Sequence, residues 1–153
     1  DHPGRTAPVP GEDETWDVGQ VWAHVAEFGD YWLDQLAGVL AAALDKATET
    51  LLDEGKSPSR KAGEIDNRGS HFFLATFWAE ELANQTDDAD LAAAFKDVAS
   101  QLSSQADEIA QALVDAQGNP ADLGGYYWPN DEKTSAVMRP VARFNEIIDG
   151  LKK

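Results

Sequence analysis

From Trp16 to Leu51 the apolar residues recur every three or four positions. They are Val18, Val21 and Trp22, Val25, Phe28, Trp32, Leu36, Val39 and Leu40, Leu44, Ala47 and Leu51. That is the period of a helix with one apolar stripe. The pair Gly29-Asp30 predicts either two helices or one kinked helix over about 17–54, with Gly55 as its stop. The same period returns downstream. Phe72, Phe73, Leu74, Phe77, Trp78 and Leu82 cover most of a helix over about 67–84, so that helix should be largely buried. Leu91, Phe95, Val98, Leu102, Ala106, Ile109 and Leu113 form the next stripe, which Ser103-Ser104 could divide in two. Thr86 or Asp87 can cap its start. A last helix, about 131–151, carries Val137, Val141, Phe144, Ile148 and Leu151. Pro140 should kink it or start its second part, because proline has no amide to donate. No stretch alternates apolar and polar residues as a half-buried strand would. The expectation is an all-α fold, a compact bundle of four to six helices. Two Gly/Pro-rich loops, 55–68 and 118–130, join them. Residues 1–15 read as an irregular lead-in, and 16–153 as a single helical domain.

Within that frame the composition excludes several functions. The chain has no cysteine, hence no disulfide, thiolate metal site or cysteine nucleophile. Its 28 acidic and 12 basic residues give a formal charge of −16. Such a surface repels nucleic acid and anionic membranes, so neither is an expected partner. No run of 18 apolar residues could span a bilayer. Asp1 to Glu14 lacks the basic and apolar regions of an uncleaved signal peptide, and a cytoplasmic location is expected. There is no GxGxxG, Walker A, GxSxG, EF-hand or HExxH sequence. His2 and His24 have no companions at metal-ligand spacing. Ser57 and Ser59 have no evident base. No metal site and no catalytic residue are assigned.

The scarce cations cluster. Lys56, Arg60, Lys61 and Arg68 fall within thirteen residues, whereas from Gly69 to Glu132 the only other Lys or Arg is Lys96. Asn67, Arg68, Gly69 and Ser70 also stand where a helix should begin, and free amides there favour an anion. Arginine offers a fork of donors to phosphate oxygens. The other reading is a loop that balances its own Glu64 and Asp66. His71 follows directly, on an aromatic helix. In the second loop, Gly124-Gly125-Tyr126-Tyr127-Trp128-Pro129 joins three aromatics to two glycines. Such faces can stack on an adenine or a guanidinium, but the simpler expectation is a lid tucked under the helices.

The stretch Leu44–Leu82, with KSPSRKAGEIDNRGSHF at its centre, resembles the C-terminal helical segment of the monomeric NADP-dependent isocitrate dehydrogenases. The likeness continues through Gln85-Thr86-Asp87-Asp88, Gln117-Gly118-Asn119-Pro120, Gly124-Gly125-Tyr126-Tyr127, Met138-Arg139-Pro140 and Phe144-Asn145. It covers about 16–148 and is weaker before Leu36. The resemblance implies oxidative decarboxylation of isocitrate to 2-oxoglutarate with NADP and Mg²⁺ or Mn²⁺. It also implies that this segment helps hold the 2′-phosphate of NADP. Arg60 is the first matching position and Arg68 the second, with Lys56, Lys61, Ser59 and His71 around them.

The departures qualify this. The family's metal-binding Asp residues and its Lys and Tyr acid–base groups lie upstream, and nothing in 1–15 replaces them. A Gly-rich and Lys-His stretch is also missing, and Trp128 stands where the family usually has Arg. The chain is therefore expected to be inactive alone, with weak or vestigial NADP binding and no Mg²⁺ or Mn²⁺ site of its own. A protein partner would supply the rest of an active site. A free-standing relative is favoured over a fragment. A non-enzymatic helical interaction module retaining the family fold stays open as the alternative.

Overall fold

The computed structural model describes residues 18–151, so the expected lead-in over 1–15 and His2 lie outside the described residues. Among those residues there are six helices and no strand: α1 (Val18–Asp53), α2 (Asn67–Asn84), α3 (Ala89–Ser104), α4 (Ala106–Asp115), α5 (Asp131–Met138) and α6 (Ala142–Gly150). The all-α expectation holds. Gly29-Asp30 does not divide α1, which runs through both residues. Ser103-Ser104 does mark a division, between α3 and α4, and Pro140 lies in the break between α5 and α6. The cap of α3 is Asp88, one residue beyond the expected Thr86 or Asp87. Its side chain accepts from the Leu91 amide, while Gln85 takes the Asp87 and Asp88 amides.

The chain divides into two compact units, with the boundary between Leu40 and Ala41 in the sequence of α1. The first contains the N-terminal half of α1. Its stripe is not core: Trp22, Trp32 and Leu33 are 60–68% exposed, and Val21, Val25, Phe28, Tyr31 and Leu36 are exposed as well. A 3.6-residue period specifies that a helix face is apolar, and leaves open what covers it.

The second unit, Ala41–Lys153, holds the core. Phe72, Leu82, Leu102 and Ile109 have almost no surface. Helix α2 packs mainly on α3 and also on α4, and α3 packs on α6. Phe72 meets Phe73 and Phe144 edge-on, each at 5.2 Å between ring centroids. Of the stripe expected inside, Phe73, Val98, Leu102 and Ile109 are buried, whereas Phe77, Leu91, Phe95, Val141 and Phe144 are half-buried at its margin. In α6 the deepest residue is Ile147, while Leu151 is exposed. Helix α2 buries seven residues around its circumference, as its all-round aromatic content requires.

Candidate functional site

The loop that carries the clustered cations is shaped at both ends by the helices it joins. Helix α1 stops in a Schellman turn. Gly55 sits at φ +64°, its amide donates to Leu52 O at 3.1 Å, and the Lys56 amide donates to Leu51 O at 2.9 Å. A side chain at that φ would be strained, so glycine is the economical residue. At the far end Asp66 caps α2. One carboxylate oxygen accepts from the Arg68 and Gly69 amides at 2.9 and 3.1 Å, and the Ser70 amide donates to the Asp66 carbonyl at 2.9 Å. The chain thus occupies its own helix N-terminus. The expectation that amides near Gly69 and Ser70 face an incoming anion is corrected by this cap.

Between the two ends the loop closes on itself. The Ser59 amide donates to Ile65 O at 2.7 Å, and the Ser59 hydroxyl donates to Glu64 at 2.5 Å while accepting from the Lys61 amide. Ile65 packs on the first turn of α2, where a Cβ at Gly69 would come within 3.0 Å of its methyl group. Arg60 to Gly63 form the tip, with Gly63 at φ +87°.

The candidate cations meet different fates. Arg68 donates to the second Asp66 oxygen through Nε at 2.9 Å and Nη2 at 2.7 Å, and through Nη1 to Val137 O in α5 at 2.9 Å. Its side chain is 14% exposed, so it serves as a brace between the α2 cap and α5. Lys56 places Nζ 4.4 Å from the centroid of the Phe73 ring. Lys61 is exposed and pairs loosely with Glu64 at 3.6 Å. Arg60 is exposed and makes no side-chain hydrogen bond or ion pair among the described residues. His71 is exposed, and its Nδ1 lies 2.6 Å from Asn67 O in the first turn of α2. Arg60 and Lys61 therefore share the tip, while Lys56 and Arg68 are engaged beneath it.

Burial alone would push the Asp66 carboxyl up. The Arg68 guanidinium, the Gly69 and Arg68 amides and the Arg68 charge outweigh it and hold the group below its ordinary 3.8. Across thirteen residues four cations meet two carboxylates, so the loop carries +2 on a protein of −16. A charge-rich phosphate fits such a donor set, with the free guanidinium of Arg60 as its main fork.

Sequence reasoning did not find Gln117. Its Oε1 accepts from the Gly63 amide and its Nε2 donates to the Glu64 carbonyl, both at 2.9 Å. No local signal announces a contact that spans more than fifty residues of chain.

The second loop also departs from expectation. Tyr126, Tyr127 and Trp128 are 85–91% exposed, and do not tuck under the helices. Gly124, at φ +80°, lies so close to Asn130 that an added Cβ would sit 2.9 Å from the Asn130 Cβ. One at Gly125 would sit 2.9 Å from the Trp128 carbonyl oxygen. The tight turn directs the aromatics outward. Lys133 and the Gly124 amide both donate to Asp122 and hold its carboxyl below the ordinary range. Among the described residues no group of three His, Asp or Glu side chains could hold a metal ion. No helix among them is long and apolar enough to cross a membrane.

Comparison with known proteins converges on one family. Residues 18–149 match the family model described as monomeric isocitrate dehydrogenase. The chain is 72% identical over 117 residues to an NADP isocitrate dehydrogenase of Corynebacterium efficiens, covering 76% of this chain and 16% of that protein. It is 49% identical over 137 residues to the enzyme of Azotobacter vinelandii, covering 87% and 18%. It is 46% identical over 141 residues to the second NADP isocitrate dehydrogenase of Mycobacterium tuberculosis, covering 90% and 19%. The chain thus spans less than a fifth of the length of these relatives. With residues 18–149 matched and an all-helical core, the chain belongs to the monomeric isocitrate dehydrogenase family and matches its C-terminal region.

Proposed function

We propose that this helical segment serves NADP-dependent oxidative decarboxylation of isocitrate to 2-oxoglutarate by holding the 2′-phosphate of NADP, and does not turn over alone. The observation that supports this most directly is Arg60. It is the loop cation with no partner among the described residues, at the tip of a loop whose other donors are engaged. Arg60 supplies a planar pair of donors, Lys61 adds a second charge, and the Ser59 hydroxyl shapes the turn beneath them. NADP, when bound, accepts the hydride. The residues here bind and orient its phosphate, while Arg68 and Lys56 are engaged elsewhere and His71 contacts Asn67 O in the first turn of α2. The divalent cation and the acid–base groups come from outside this segment, whether from the rest of a longer chain or from a partner protein. The reading places the protein in the cytoplasm.

With the remaining pocket absent from the described residues, affinity is on the order of millimolar, about −4 kcal/mol. In the test, NADP and 2′-phospho-ADP-ribose shift amide resonances over 56–70, NAD shifts them less, and Arg60→Ala removes the difference. Equal shifts for NADP and NAD, or shifts elsewhere, overturn the reading. Isocitrate-dependent NADPH formation by the pure chain would overturn the claim that it is inactive alone. A second reading, a non-enzymatic helical interaction module, draws on the exposed apolar face of α1 between Val21 and Leu36.

A further inference from the structure

We propose that Gln117 is a positioning residue for Arg60. It holds the loop tip in the one conformation that presents the guanidinium to a phosphate. This rests on the reading of the loop given above, and it concerns a residue that touches no ligand. Gln117 follows α4 and is fixed by its own backbone, since its amide donates to Val114 O at 3.0 Å and the Ala116 amide to Ala112 O at 3.2 Å. Helix α4 is in turn anchored in the core by Ile109 and Leu113. The carboxamide of Gln117 therefore projects from a rigid base.

It then meets the loop as one strand meets another. Oxygen accepts from Gly63 N and nitrogen donates to Glu64 O, both at 2.9 Å. The partners fix which way round the amide lies, because a flip would set donor against donor and acceptor against acceptor. The clamp falls on the segment that most needs one. Gly63 stands at φ +87°, where glycine is free to choose among many conformations, and it ends the tip that begins at Arg60. The Ser59–Ile65 hydrogen bond closes the neck of the loop. Gln117 fixes the tip itself. Without it, ordering the tip is left to the ligand, and the cost of that ordering is subtracted from binding.

The test uses the full chain with 2′-phospho-ADP-ribose and ADP-ribose as probes, so that the 2′-phosphate is the sole difference. Backbone relaxation and amide exchange report the order of 60–64 without ligand, and circular dichroism reports the core. Gln117→Ala is expected to leave helix content and cooperative unfolding intact. It should speed exchange at Gly63, loosen the tip and reduce preference for the 2′-phosphate by about tenfold, as for two lost exposed hydrogen bonds. Gln117→Glu keeps the acceptor for Gly63 and loses the donor to Glu64, so it should fall between. Arg60→Ala should abolish the preference and leave tip order unchanged.

Unchanged tip order in Gln117→Ala overturns the proposal, and so does a loosened tip with the preference intact. If the unaltered chain shows no preference for the 2′-phosphate, the reading of the loop as a phosphate site falls. In that case tip order in the two Gln117 variants still decides whether Gln117 positions Arg60.

Discussion

Removing the Asp66 carboxylate tests how the candidate loop is tied to the core. One oxygen of that carboxylate caps α2, through the Arg68 and Gly69 amides. The other takes two bonds from a guanidinium that is 14% exposed. Asp66→Ala removes both functions. Loss of the cap costs about 1 kcal/mol. Leaving a largely buried guanidinium with only the Val137 carbonyl costs a further 1–3 kcal/mol, roughly. The total is then about 2–4 kcal/mol. Asp66→Asn keeps a good cap acceptor and gives up the charge, so its cost should be smaller, about 1–2 kcal/mol. Arg68→Ala spares the cap, relieves the stranded charge and loses the bond to α5. Urea unfolding at pH 7, followed by helical dichroism, yields the four stabilities of an Asp66→Ala and Arg68→Ala cycle. A coupling of about 1–2 kcal/mol is expected. If each single change costs under about 0.5 kcal/mol and the two add, the pair is an ordinary surface contact. The account of Arg68 as a brace then fails.

Leu102→Ala should cost about 2–5 kcal/mol, and Phe95→Ala clearly less than its 3–5 kcal/mol for a fully buried ring, since Leu102 has no exposed surface and Phe95 is half-buried. Equal losses in a urea melt would refute that ordering of the core. Asp66 also sets an acid limb. Its pKa is lower folded than unfolded, so its contribution is complete above the ordinary 3.8 and disappears as pH falls through the lower folded value. A pH series of unfolding midpoints should show this loss below about pH 4, and Asp66→Asn should flatten it. Gly124→Ala should disturb the 118–130 loop by about 1–2 kcal/mol, because φ is +80° and the new carbon would meet Asn130. Gly118→Ala faces open space at a similar φ and should cost less.

Local order was legible in the sequence wherever one turn of helix decides it. Apolar spacing placed α2 over 67–84, and a proline marked the break before α6, because helix period, amide donors and backbone freedom are properties of neighbours along the chain. The cluster of cations at 56–68 was legible for the same reason, as was the resemblance carried by KSPSRKAGEIDNRGSHF. Tertiary structure alone decided which of those cations stay available. Arg60 and Arg68 are the same residue type eight positions apart, yet among the described residues one has no side-chain partner at the tip and the other is locked between Asp66 and Val137. That difference depends on α5, some seventy residues further on. The clamp by Gln117 depends on where α4 ends. The outward turn of Tyr126 to Trp128 depends on how closely Gly124 approaches Asn130. The first two are meetings of segments more than fifty residues apart and the third is the closure of a single loop, and a one-dimensional pattern records the chemistry of a side chain without the partner that claims it.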